Sequence, residues 1–364
     1  MRRRQPQVER VTLHDVAAAA GVSPATAARA LGGYGSVSEE ARAQVLAASA
    51  RLRYRPNKLA RSMITGTTQT IGVVVGDIEL SFFARAVRGM ADEAKLAGFE
   101  LILANSDEDL EKERAAIGVL LEKQVDGLIL AAATTRDVAH LEDISERGVP
   151  LVLFDRIVAD VDCDAVVVDN FRAAQNATRH LIRLGHRRIA IMVEEATALA
   201  PEDLPVGNPG PVGAMTSVLR EIGWADALRG AGLKVSSDLI RRCAYDREAA
   251  RAETAAALRS ADPPTAILAT DETMSIGVLE ALMDAGLRIP EEMSVVAFDD
   301  AAWTTLVRPP LTVVAQPVYE LGQAASRLLL ARIGGDEGPP HVEMRDTTFL
   351  VRGSTAPPSG AMVN

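Results

Sequence analysis

From residue 70 to residue 298 one motif recurs, a short aliphatic run followed by a stretch that reads as helix. The runs are Ile71–Val75, Glu100–Ala104, Gly127–Ala131, Leu151–Phe154, Ala165–Val168, Ile189–Val193, Ile240–Tyr245, Ala266–Ala269 and Ser294–Phe298. Continuous apolar runs imply strands covered on both faces. Such strands with helices between most of them form a parallel α/β arrangement. No G-x-G-x-x-G follows the first run and no Walker A sequence occurs, so a nucleotide site is unsupported. The five histidines are scattered, and Cys163 and Cys243 match neither a zinc pattern nor a disulfide framework. Two reduced thiols, no metal and no cofactor are expected.

With 364 residues the chain has room for two or three domains of about 150 residues each. Its net charge of −10 argues against nucleic acid until the distribution is considered. Residues 1–65 hold 11 Lys+Arg against 4 Asp+Glu, and the remaining 299 residues hold 28 against 45. A basic module on an acidic body is the pattern expected when one end meets phosphate and the rest stays off it. No run of 18 apolar residues occurs, so no membrane span is expected. The opening Met1-Arg2-Arg3-Arg4 is followed by no apolar stretch between Gln5 and Arg10, which argues against a signal peptide and for a cytoplasmic protein.

Within the basic module, Leu13 to Ala20 reads as a helix, with Val16, Ala17 and Ala20 on one face. Gly21-Val22 breaks it, since glycine tolerates the left-handed backbone of a tight turn. Ser23 caps a second helix and Pro24 suits its first position; that helix runs to about Leu31 and stops at Gly32-Gly33. A third helix, about Glu39 to Leu52, is expected to pack Val45, Leu46 and Leu52 behind the pair. Helix, glycine turn and capped helix is helix-turn-helix geometry, in which the second helix enters the major groove.

The run VTLHDVAAAAGVSPAT from Val11 to Thr26 closely resembles the headpiece opening of the LacI/GalR (lactose/galactose repressor) family of bacterial regulators. So do Val37-Ser38, Tyr54-Arg55-Pro56-Asn57, Ala60-Arg61 and Ile71-Gly72-Val73, and the similarity continues over nearly the whole chain. The resemblance implies an all-α helix-turn-helix headpiece over residues 10–56, a hinge helix and linker over 57–69, a two-lobed periplasmic-binding-protein-like sensor domain over 70–356 and a flexible tail over 357–364. It places Pro24, Ala25 and Arg29 at base-reading positions, and Thr12, Ser23 and Asn57 where the family touches backbone. Arg29 is the candidate for a direct contact, because a guanidinium can bond both acceptors on a guanine edge. The hinge helix, Asn57 to Ile64 with Ala60 on it, is too short to stand alone in water. It carries Met63 where the family usually has a leucine that wedges into the minor groove.

In the sensor domain the resemblance places Phe82, Phe83, Asp155, Arg220, Tyr245, Thr270 and Asp299 around a cleft between the lobes. Carboxylates and an arginine forking onto hydroxyls, beside aromatic faces, make a carbohydrate-type site. The first lobe is expected at about 70–160 with a return near 300–325, and the second at about 161–298 with the C-terminal strands. The Pro- and Gly-rich stretch from Glu194 to Gly213 departs from the family and reads as a loop near the cleft mouth. Gly353 to Asn364 reads as a frayed tail. The absence of a leucine-rich C-terminal helix favours a homodimer.

The expected function is a sequence-specific repressor of carbohydrate genes that binds a pseudo-palindromic operator and is released by a small sugar or polyol. The alternatives are a corepressor-type regulator of the purine-repressor kind and a sugar-binding transport protein. An enzyme is not expected, since no nucleophile, base and orienting group come together.

Overall fold

The computed structural model describes residues 11–32, 34–54, 66–136, 138–196 and 199–359. The expected hinge helix, with Asn57, Ala60 and Met63, lies outside them. The chain divides into two compact units, Met1–Thr68 and Gln69–Asn364.

In the first unit, helices α1 (Leu13–Ala20), α2 (Pro24–Gly32) and α3 (Glu39–Leu52) enclose Val16, Ala17, Ala27, Ala30, Val45 and Ala48. Each start is fixed by local chemistry. Thr12 and Asp15 form a reciprocal capping box on α1. Ser23 Oγ accepts the Thr26 amide at 3.1 Å, and Ser38 Oγ accepts the Ala41 amide at 3.3 Å. Gly21 ends α1 at φ +69°. Leu46 was expected inside but is 51% exposed. Successive helical positions are about 100° apart, so with Val45 and Ala48 turned inward Leu46 faces out.

The second unit holds two six-stranded sheets. Its strands are β1 (Thr70–Val75), β2 (Glu100–Asn105), β3 (Gly127–Leu130), β4 (Leu151–Phe154), β5 (Asp164–Val168), β6 (Ile189–Glu194), β7 (Ile240–Cys243), β8 (Ala266–Ala269), β9 (Ser294–Phe298), β10 (Thr312–Ala315), β11 (Val342–Arg345) and β12 (Thr348–Leu350). The first sheet has the order β11-β5-β4-β3-β1-β2 and the second β12-β10-β9-β8-β6-β7. All pairings are parallel except β10 with β12. Helices α4 (Ser81–Leu96), α5 (Leu110–Glu122), α6 (Ala139–Glu146) and α11 (Val318–Ile333) serve the first sheet. Helices α7 (Asn170–Arg183), α8 (Thr216–Gly230), α9 (Arg247–Leu258) and α10 (Glu272–Asp284) serve the second. No helix among the described residues is long and apolar enough to cross a membrane.

The lobe boundaries differ from the expected ones. Strand β5 belongs to the first sheet, beside β4, with Val152 opposite Asp164. Strand β10 stays in the second sheet beside β9, and the return to the first lobe begins only at α11. The two C-terminal strands separate, β11 pairing with β5 and β12 with β10. The chain thus passes between lobes three times, after β5, between β10 and α11, and between β11 and β12. Strand pairing is a contact between distant segments, which the periodicity of either segment does not encode.

The C-terminal stretch is also more ordered than expected. Ser354 is fully buried; its Oγ accepts the Thr312 amide at 2.8 Å and donates to the Val295 carbonyl at 2.6 Å. The Ala356 carbonyl accepts Ser294 Oγ at 3.1 Å and pairs with His186 Nε2 at 2.9 Å. Polar composition reads as a tail, yet here these groups bond the starts of β9 and β10.

Candidate functional site

Between the lobes lies a cavity of about 590 Å³ with its mouth included. Ligand sites of open parallel sheets sit at strand C-termini, and this one does. Residues Glu108, Asp155, Glu194, Asp271 and Asp299 each end a strand or closely follow one. All seven residues expected around a cleft, Phe82, Phe83, Asp155, Arg220, Tyr245, Thr270 and Asp299, line this cavity.

The two lobes present the same device. Strand β4 ends in Phe154-Asp155 and β9 in Phe298-Asp299. Both phenylalanines are fully buried, and both aspartates adopt the left-handed backbone, at φ +69° and +71°. Each aspartate amide still bonds the neighbouring strand, Asp155 to the Val166 carbonyl at 3.0 Å and Asp299 to Val314 at 2.9 Å. Aspartate is among the few non-glycine residues that tolerate this conformation, and such strain gathers at functional sites.

Most charges in the wall are already paired. Arg156, buried in the first lobe, donates through Nη1 to Glu108 at 2.7 Å and to the Ala132 carbonyl at 2.8 Å. Burial works against its charge, but Glu108 and Asp155 outweigh that and raise its pKa further. Arg220 donates Nε to Asn170 Oδ1 at 2.8 Å and Nη1 to the Thr270 carbonyl, and its guanidinium lies 4.3 Å over the Phe298 ring. Its remaining amino group, Nη2, is left for the cavity. Glu272 joins the lobes: it accepts the Ser81 amide at 3.1 Å, Ser81 Oγ at 2.5 Å and Trp303 Nε1 at 2.8 Å.

Burial raises the acids that front the cavity. It pushes Asp271 up to about 7 and Asp299 up to about 6, and it raises Glu194. Asp299 Oδ1 accepts Gln316 Nε2 at 2.8 Å. Phe82 meets Phe83 edge-on at 5.2 Å and Phe154 at 5.8 Å. Tyr245, expected at the end of β7, lies just past it, and burial raises its phenol.

Three polar atoms stand apart. Ser217 Oγ, Gln316 Oε1 and Arg156 Nε are buried in this wall with no hydrogen-bond partner among the described residues. A buried polar atom left unmatched costs about 1–3 kcal/mol, so these three mark where the wall has bonds to offer to water or a ligand. Sequence reasoning passed over Ser217 and Gln316, along with Glu108, Arg156, Glu194 and Glu272. For Glu108, Arg156 and Glu194 the signal was position, because each lies at or just after a strand's C-terminal end. Ser217 and Gln316 sit on a helix and on an inter-lobe crossing, and nothing local marks them.

On the headpiece, Thr12, Ser23, Pro24 and Ala25 are exposed and Arg29 is half-buried. Arg29 Nε donates to the Ala25 carbonyl at 3.2 Å, and Arg29 makes no ion pair among the described residues. The Thr12 amide and hydroxyl both bond Asp15 Oδ2 at 2.7 Å, and Ser23 Oγ pairs with Thr26 Oγ1 at 2.9 Å.

Residues 12–57 match the model of bacterial regulatory proteins, lacI family, and residues 68–349 match that of periplasmic binding proteins and sugar binding domain of LacI family. Catabolite control protein A of Priestia megaterium is 32% identical over 93% of this chain and 99% of that protein. The HTH-type transcriptional repressor CytR of Escherichia coli (strain K12) is 30% identical over 94% and 96%. Among solved structures, the transcriptional regulator CelR–cellobiose complex is 30% identical, covers 95% of this chain and 100% of its own, and superposes with a TM-score of 0.68.

Proposed function

The chain belongs to the LacI family of bacterial regulatory proteins and is a DNA-binding transcriptional regulator, not an enzyme. We propose that it is a homodimeric, cytoplasmic repressor of carbohydrate uptake or catabolism genes, released from a pseudo-palindromic operator by a neutral sugar or polyol held in the cleft. The carrying observation is the set of buried, unmatched atoms, Ser217 Oγ, Gln316 Oε1 and Arg156 Nε, which brings donors and an acceptor into one wall. Ligand hydroxyls both donate and accept, so they match these atoms and the free edges of Asp299 and Arg220. An anion would meet Glu194, Asp271 and Asp299 opposite Arg220, while the charge of Arg156 is already matched by Glu108 and Asp155. A solved relative holding cellobiose is in keeping with a sugar ligand.

On the DNA side, Arg29 reads a base edge and Pro24 and Ala25 offer apolar contact. Thr12, Ser23 and Asn57 meet the backbone, and Ala60 and Met63 belong to a hinge helix in the minor groove. Ser23 spends its hydroxyl on the helix cap, so a phosphate there meets the helix N-terminus as much as the side chain. Exposed Leu96, Ile102 and Val119 on α4, β2 and α5 support two-fold pairing through the first lobe. Effector-dependent rotation of the lobes about the three crossings changes the spacing of the paired hinges, and DNA affinity follows by linkage.

The test is calorimetry with sugars and nucleobases, followed by operator binding with each hit. Asp299→Ala leaves ligand hydroxyls unmatched, a loss of about 1–3 kcal/mol, while operator binding persists. Unchanged effector affinity in Asp299→Ala overturns the cleft assignment.

A further inference from the structure

Beside the first cavity lies a second chamber of about 960 Å³ with its mouth. Glu194, the last residue of β6, lines both. Met215 belongs to the wall of the second, and its Sδ lies 4.0 Å from Arg156 Nη1 in the first. The two spaces adjoin across Glu194, Met215 and Arg156. One side of the second chamber is the first lobe's turn at 133–136. The other is Gly213 to Met215, the end of the long Pro- and Gly-rich connection between β6 and α8.

That connection is tied down at both ends. Arg229 on α8 donates to the carbonyls of Pro201 at 2.6 Å and of Leu204 and Pro205 at 3.1 Å. Asp226 accepts the Gly207 amide at 3.0 Å, and Leu204 is buried in the second lobe's core. At the far end the Gly213 amide donates to the Ile157 carbonyl at 2.9 Å, and the Gly213 carbonyl accepts Thr135 Oγ1 at 3.2 Å. The chamber wall is therefore held before any ligand arrives, which lowers the ordering cost of binding.

The wall combines apolar and polar surface in the manner of a sugar subsite. Ala214, Met215 and Val218 supply apolar contact. Thr135, Glu194 and Arg136 supply polar edges, and the Arg136 guanidinium has no partner among the described residues. A ring with C–H faces and hydroxyl edges fits such a mixture. We infer that the effector is a glycoside longer than one ring. Its first sugar lies among Asp155, Arg220 and Asp299, and its second lies in this chamber, with Glu194 beside the bond between them. The inference rests on the sugar reading of the first cavity.

Calorimetry of the full chain with glucose, galactose, mannose and xylose, each beside its α- and β-linked disaccharides, tests it. At least one disaccharide binds tenfold or more tightly than its own monosaccharide. Ala214→Trp, which fills the chamber from a half-buried position, brings that disaccharide down to the monosaccharide's affinity and leaves the monosaccharide unchanged. Arg136→Ala, at an exposed position, weakens only the disaccharide, by threefold or more, and decides the matter if the tryptophan variant does not fold. Monosaccharides that bind as tightly as every disaccharide overturn the second subsite and leave the sugar reading standing. A disaccharide preference that survives both substitutions overturns it as well. No binding by any of these probes overturns both readings.

Discussion

Asp299 shows how a single side chain sets function against stability. Its folded pKa of about 6 lies above the ordinary aspartate value of about 3.9 because burial disfavours the charge. The folded chain holds this proton more tightly than the unfolded chain does. Its contribution is therefore most favourable below about pH 4 and is lost as pH rises through 6. Asp299→Asn keeps the shape, accepts the left-handed backbone at φ +71° and removes the charge. The ligand-free variant melts at a higher temperature at pH 8, by about 1–3 kcal/mol of added stability, and the difference shrinks towards pH 4. An equal or lower melting temperature at pH 8 contradicts this account. On the headpiece, Arg29 has no acidic partner to give up among the described residues, so its guanidinium is available to a base edge. Arg29→Ala loses about 1–3 kcal/mol of discrimination at one base pair per half-site, measured by titrating operator variants. Equal loss on all sequences assigns Arg29 to phosphate instead.

Helix pairs in the two lobes use glycine to approach closely. On α8, a Cβ at Gly223 would run into the Phe171 carbonyl of α7. In the first lobe, Gly89 on α4 and Gly322 on α11 stand against the Tyr319 and Ala86 carbonyls in the same way. The obstacle is backbone, which cannot rotate aside as a side chain can, so the helices must separate. Gly223→Ala costs about 1–3 kcal/mol in chemical denaturation. It also displaces Ser217 and Arg220, which ride on the same helix, and so weakens effector binding. A variant as stable as the parent shows that the α7–α8 crossing yields more readily than its geometry implies.

Ser81 and Glu272, 191 apart in sequence, make a polar contact between the lobes. Glu272 also receives Trp303, so this carboxylate organises both sides of the cleft. Ser81→Ala removes one charge-assisted hydrogen bond between the lobes. Effector affinity falls by about 1–2 kcal/mol, roughly five- to thirty-fold, while the stability of each lobe is unchanged. Calorimetry with the identified effector reads this directly, and undiminished affinity shows that effector binding does not depend on the pair. At the same scale, the basic headpiece makes operator affinity fall steeply with salt, because phosphate contacts release counterions. Salt-insensitive operator binding contradicts a phosphate-facing headpiece.

Capping and periodicity act within a few residues, so what they govern was legible in the chain itself. Thr12, Gly21 and Ser23 place the first two helices, and the aliphatic runs from Ile71 to Phe298 announce parallel sheets because apolar strands need cover on both faces. The seven cleft residues came from family resemblance, and the fold brings them to one cavity. Other features were settled only by tertiary structure. Strands β5, β10 and β11 found their sheets through pairing with distant segments. Arg156 met Glu108 from 48 positions away, which matched its charge within the wall. Ser217 Oγ and Gln316 Oε1 were left without partners by burial, which only the fold decides. Burial and pairing depend on what arrives from elsewhere in the chain, and no local window of sequence contains that information.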